Sequence, residues 1–167
     1  MQAHRGASFS GMNVRVGGVD EGSLGANLGK GSVVPAARIV VIEDNSADVY
    51  LLRRALDKQD RRFELTCLAD GDDALDFIHR KGAYADAAIP NLILVDLNLP
   101  KCDGETLLRE IQTTQHLAGV PVCAWSSSQS RRDRDLLTEL GVVRFITKPS
   151  GLDQFMEIGK ILRDLLA

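Results

Sequence analysis

The chain has 167 residues, 44% hydrophobic and 26% charged, with a formal net charge of −3; that is enough for one domain with a real core. The charge excludes the basic balance of a nucleic-acid binder, and no apolar run approaches the ~18–20 residues of a membrane helix. The three cysteines, Cys67, Cys102 and Cys123, are too few and too scattered for a disulfide framework or a zinc site, and no signal-peptide-like segment follows Arg5, so a cytoplasmic protein with reduced thiols is expected.

Residues 1–36 hold eight of the 15 glycines and show no periodicity, which reads as a flexible tail. Within it, Gly25 to Ser32 resembles a phosphate loop only superficially. Its spacing is one residue short, Gly31 follows the lysine where Ser or Thr is needed, and no strand precedes it. From Ala37 the pattern alternates. Arg38–Ile42 is a short apolar strand, and Ser46 is placed to cap a helix that has Asp48 in its first turn and Val49, Leu52, Ala55 and Leu56 on one face. Phe63–Leu68 is the second strand. Asp72 opens a helix with Ala74, Leu75 and Ile78 inward and Gly82 as its stop. Leu92–Val95 is the third strand, and Gly104 leads into a helix using Leu107, Leu108 and Ile111. Val120–Trp125 is the fourth strand, followed by a polar helix with Leu136, Leu137 and Leu140 that ends at Gly141. Val143–Thr147 is the fifth strand, and Leu152–Leu166 is the last helix, with Phe155, Ile158, Leu162 and Leu165 on its stripe.

Five apolar strands alternating with five amphipathic helices predict an α/β domain over 37–167, a doubly wound parallel sheet covered on both faces. Right-handed crossovers and the unit count fit the flavodoxin-like order 2-1-3-4-5. Such sheets place their site beyond the carboxyl ends of the strands, at the switch between the first and third. Here those strands end in Glu43-Asp44 and in Asp96, and the fifth ends in Lys148. Three carboxylates converging at ~4 Å cost about 4 kcal/mol per pair at an effective dielectric near 20. A divalent cation removes that cost, and an all-oxygen donor set without His or Cys suits Mg²⁺ or Mn²⁺ rather than zinc. A carboxylate beside such an ion can attack phosphorus, while a lysine ammonium and a hydroxyl, here Ser126, hold phosphoryl oxygens.

Four motifs in order resemble the receiver domain of two-component response regulators: Ile42-Glu43-Asp44-Asn45; Leu94 to Pro100 with Asp103-Gly104; Ser126 after the fourth strand; and Lys148-Pro149. Asp70-Gly71 before Ala74-Leu75 adds a fifth. The resemblance implies a signalling domain that is not an enzyme on other substrates. By the same resemblance Asp96 would be the phosphoacceptor, and Glu43, Asp44, Asp96 and the carbonyl of Asn98 would be the Mg²⁺ ligands. It further implies that Lys148 and Ser126 contact the phosphoryl group, that Phe145 follows Ser126 in a conformational switch, and that the Lys148-Pro149 bond is cis. The stretches Glu43 to Val49, Gly82 to Asp86 before Pro90, and Leu152 to Phe155 are similar to stand-alone receivers that partner bacterial phytochrome kinases. They imply a phytochrome-type histidine kinase as donor, a downstream protein or phosphotransfer partner, and in many members a homodimer through the last helices and strand.

Other readings compete. An aspartyl-phosphate phosphohydrolase of the haloacid-dehalogenase type has its nucleophile on the first strand and a second Asp two residues on; here Asp96 is on the third strand and Asn98 stands two residues later. A flavin domain needs an anion-accepting loop where this chain has Glu43-Asp44. A scaffold receiver that is never phosphorylated does not need the intact acidic set. The run Arg131 to Asp135 is a solvated helix start or a partner surface. His4, His79 and His116 form no cluster that suggests a phosphohistidine relay, and Cys102 is a weak candidate redox sensor near Asp96. The chain stops after its fifth helix, so output by protein contact is expected.

Overall fold

A computed structural model describes residues 13–15, 35–100, 102–127 and 131–167. Six strands are described: β1 (Asn13–Arg15), β2 (Ala37–Ile42), β3 (Phe63–Leu68), β4 (Leu92–Asp96), β5 (Val122–Ser126) and β6 (Val142–Thr147). Five α-helices join them: α1 (Ser46–Asp57), α2 (Gly71–Ile78), α3 (Gly104–Thr113), α4 (Arg131–Glu139) and α5 (Leu152–Leu165). The sheet order is β1-β3-β2-β4-β5-β6. Strands β2 to β6 are all parallel, and numbered among themselves they run 2-1-3-4-5, as expected.

The sixth strand is not foreseen by the sequence. Asn13–Arg15 pairs antiparallel with Thr66, Leu65 and Glu64 on the outer edge of β3. An edge strand offers a row of unpaired N–H and C=O groups, and three residues are too short for their side-chain alternation to be read. The remainder of the proposed tail lies outside the described residues.

Successive side chains of each parallel strand enter opposite faces. Ile39, Val41, Leu92, Leu94, Cys123 and Trp125 meet Leu52, Leu56, Phe155, Ile158 and Leu162 of α1 and α5. Val40, Ile42, Ile93, Val95 and Ala124 meet Ala74, Phe77, Leu107, Leu108 and Leu137 of α2, α3 and α4. Two cores on one sheet explain why the strands read as continuous apolar runs.

The helix starts differ from expectation by a residue or two. Asn45, not Ser46, caps α1, its side-chain oxygen accepting from the Ala47 N–H at 3.0 Å. Asp70 caps α2 by accepting from the Asp73 N–H at 2.9 Å, so Gly71 rather than Asp72 is the first helical residue. That helix ends at Ile78, and Gly82, at φ +53°, opens a 3₁₀ turn over Gly82–Tyr84 instead of stopping it. β5 begins at Val122, because the Val120 N–H is used in a turn to Leu117. Among the described residues no helix is long and apolar enough to cross a membrane.

Candidate functional site

β2 and β4 are neighbours in the sheet, and the chain leaves them in opposite directions to form helices on both faces. Their carboxyl ends therefore form a crevice, which the ends of β5 and β6 extend. Glu43 follows β2 directly and is buried; its Oε1 accepts the Asn45 N–H at 2.9 Å. Asp44 beside it is exposed. Asp96 is the last residue of β4, also buried, with Oδ1 accepting the Asn98 N–H at 2.9 Å. Carboxylate oxygens of Glu43, Asp44 and Asp96 all lie within 4.8 Å of one another.

Lys148 enters from β6. Its backbone N–H donates to the Ser126 carbonyl at 2.8 Å, which anchors the residue beside the end of β5. Its Nζ lies 2.7 Å from Glu43 Oε2, 2.8 Å from Asp96 Oδ2 and 3.1 Å from Asp48 Oδ2. Three carboxylates thus meet one ammonium, and Asp44 stands beside them as a fourth acid. The electrostatics follow. Burial, with the Asp96 charge adding, pushes the Glu43 carboxyl up to about 7, outweighing the help of Lys148 and the Asn45 amide. Burial works against the Lys148 ammonium, but its hydrogen bond to Asp96 and its close ion pair with Glu43 hold it above the usual lysine range. Both shifts make sense together: one ammonium is shared among several acids, and the most desolvated acid yields first.

The set fits a hard divalent cation. Its donors are all oxygens, converging within 4.8 Å, and the buried Glu43 Oε2 has the Lys148 ammonium at 2.7 Å as its neutralising neighbour among the described residues. Mutual repulsion of about 3–4 kcal/mol per carboxylate pair is what such an ion would relieve.

Of the residues expected from sequence, Glu43, Asp44, Asp96 and Lys148 come together directly. Ser126 and Asn98 are linked to one another, the Asn98 Nδ2 donating to Ser126 Oγ at 2.9 Å. Phe145 is half-buried, opposite Ala124 in the β5–β6 ladder. Two neighbours went unforeseen. From sequence Asp48 reads only as an acid in the first turn of α1, yet it reaches Lys148; its place one helical turn after Asp44, at the same edge of the sheet, is the signal that points to it. Trp125 reads from sequence only as the end of an apolar strand, yet Lys148 Nζ stands 5.0 Å from its ring centroid. The described peptide bonds are all trans, so the expected cis Lys148-Pro149 bond is not found; trans is the lower-energy isomer even before proline. Cys102 packs against Gly71 at the start of α2, with its thiol raised by burial and by Asp103 and Asp72. A raised thiol is less reactive, which weakens the redox reading. His79 pairs with Glu110 at 3.2 Å, joining α2 to α3. The side chains of 131–134 and residue Ser128 lie outside the described residues.

In family and fold the chain is similar to known proteins. Residues 39–160 match the family described as the response regulator receiver domain. Response regulator Rcp1 of Synechocystis sp. is 36% identical over 124 residues, which is 74% of this chain and 84% of that protein. The crystal structure of the phosphorylated cyanobacterial phytochrome response regulator RcpA is 36% identical, with a TM-score of 0.74 over 79% of this chain and 94% of that one. The Mn²⁺-bound form of Rcp1 is 34% identical, with a TM-score of 0.71 over 77% and 92%.

Proposed function

The chain belongs to the response regulator receiver domain family, and from that premise we propose that it accepts a phosphoryl group on Asp96 from a histidine kinase and signals by a conformational switch. The observation that carries this reading is the buried Asp96 carboxylate, whose Oδ2 lies 2.8 Å from Lys148 Nζ at the edge of an acidic crevice.

Asp96 supplies the nucleophilic oxygen. As its bond to phosphorus forms, the bond from phosphorus to the donor's nitrogen breaks, and the electron pair leaves with the donor imidazole, which is neutral after transfer. Lys148 moves its ammonium contact from the carboxylate toward a phosphoryl oxygen, and Ser126, tethered by Asn98, offers its hydroxyl to another. Glu43, Asp44, Asp96 and the Asn98 carbonyl would hold Mg²⁺, or Mn²⁺ in its place. The bound ion supplies charge neutralisation for the incoming group. Ser126 and Phe145 occupy adjacent strands, so movement of the hydroxyl toward phosphate is coupled to the half-buried ring, and through it to the α4–β6 face.

The similarity to RcpA and Rcp1 supports a phytochrome-type kinase as donor and a stand-alone regulator acting in the cytoplasm through protein contact. A homodimer through the last helix and strand is part of the same reading. The domain that performs it is residues 37–167.

The test is incubation with acetyl phosphate, with and without Mg²⁺, followed by intact-mass measurement. A metal-dependent gain of one phosphoryl group, absent in Asp96→Asn, is expected. Equal labelling of Asp96→Asn would refute the assignment, and steady turnover of a phosphate ester would favour a phosphohydrolase instead.

A further inference from the structure

Trp125 is the one tryptophan of the chain. It stands on β5, one residue before Ser126, with its ring in the α1–α5 layer and no exposed surface. Phe155 of α5 meets it edge-on, with ring centroids 6.4 Å apart. On the site side, Lys148 Nζ lies 5.0 Å from the Trp125 ring centroid while touching Asp96 Oδ2 at 2.8 Å. The ammonium is therefore bounded by carboxylates and by an indole face.

Packing alone does not call for an indole here. Among the described residues the buried Nε1 has no hydrogen-bond partner, and stranding a donor is unfavourable when a phenyl or an aliphatic side chain would fill apolar space without one. An indole is, however, the best aromatic platform for a cation, and the attraction strengthens out of water. The unsatisfied Nε1 and the ammonium over the ring are two independent observations with one explanation.

We infer that Trp125 is a positioning residue for Lys148: its face holds the ammonium beside Asp96, so that the positive charge is in place when a phosphoryl group arrives. No bond to Trp125 forms or breaks. The inference rests on the proposed roles of Asp96 and Lys148.

Two measurements on the full chain test it. The first is tryptophan emission of the metal-free protein. An ammonium near an excited indole quenches it by proton donation, so Lys148→Met should brighten and shift the emission of Trp125. Identical spectra for wild type and Lys148→Met would overturn the inference. The second is the rate of labelling by acetyl phosphate in Mg²⁺. Trp125→Leu should slow it roughly five- to tenfold, whereas Trp125→Phe, which keeps an aromatic face, should lose only about two- to threefold. Equal losses in the two variants would mean that the ring acts by packing alone, against the inference. Should Trp125→Leu fail to fold, the emission comparison, which leaves Trp125 in place, decides the matter. A wild-type chain that takes no phosphoryl group refutes the functional reading, and the emission comparison still decides whether the indole senses the ammonium.

Discussion

Glu43 is where the site's electrostatics are most exacting. Its side chain has no exposed surface, and it shares Lys148 with Asp48 and Asp96. With its folded pKa raised from 4.5 to about 7, the folded state binds this proton more tightly than the unfolded chain does. The stability that this group contributes is fully present below about pH 4.5 and is lost as pH rises through about 7. In chelator, wild type should lose stability relative to Glu43→Gln between pH 5 and pH 8, by on the order of 1–3 kcal/mol. Urea unfolding at both pH values measures it. Adding Mg²⁺ at pH 8 should recover wild type more than the variant, because the ion replaces the proton as the neutralising charge. A pH-independent difference between the two proteins would show that Glu43 is not a strained acid.

At the scale of elements, close approach is arranged by glycines and capping acids. Asp70-Gly71 and Asp103-Gly104 each pair a cap with a glycine at the first helical position. A Cβ on Gly104 would stand 2.7 Å from the Leu97 Cα and 3.0 Å from the Asp96 carbonyl oxygen, so α3 starts hard against the end of β4. Asp70→Ala should cost about 1 kcal/mol by removing the cap to the Asp73 N–H, read as a shift in the denaturant midpoint with an unchanged slope. α5 packs on α1 in the same manner. A Cβ on Gly159 would meet the Ala55 carbonyl oxygen at 2.5 Å and its carbon at 2.8 Å, which is backbone and cannot yield as a side chain does. Gly159→Ala is therefore destabilising by about 1–3 kcal/mol, although alanine is the better helix former; a more stable variant would show that the two helices can part freely. The α5 stripe of Phe155, Ile158 and Leu162 was legible from its spacing. The meaning of Gly159 was not, because a helical glycine reads only as a weak position until its neighbour on another helix is known.

For the molecule as a whole, the site belongs to one end of a single sheet with two cores. β1 covers the far edge, next to β3, while the acidic crevice lies between β2, β4 and β6. Removing residues 1–34 should accordingly leave acetyl phosphate labelling within about twofold of the full chain, since no site residue is lost and the site elements keep their neighbours. A large loss would give the N-terminal segment a part in the site. Cys123 is fully buried on β5, with its thiol pushed up to about 12 by burial. At pH 8 alkylation of Cys123 should therefore follow global unfolding, and Cys102, only half-buried, should react first. Peptide mapping after timed alkylation checks the order.

The order of elements, the two-faced sheet and the acids and lysine at its carboxyl edge were readable in the sequence, because strand and helix periods are local and a charge ending an apolar strand is conspicuous. The β1 edge strand, the reach of Asp48, the indole under Lys148 and the sharing of one ammonium by several acids were decided only in three dimensions. Each depends on which side chains from distant segments meet at the strand ends, and on how little water is left between them.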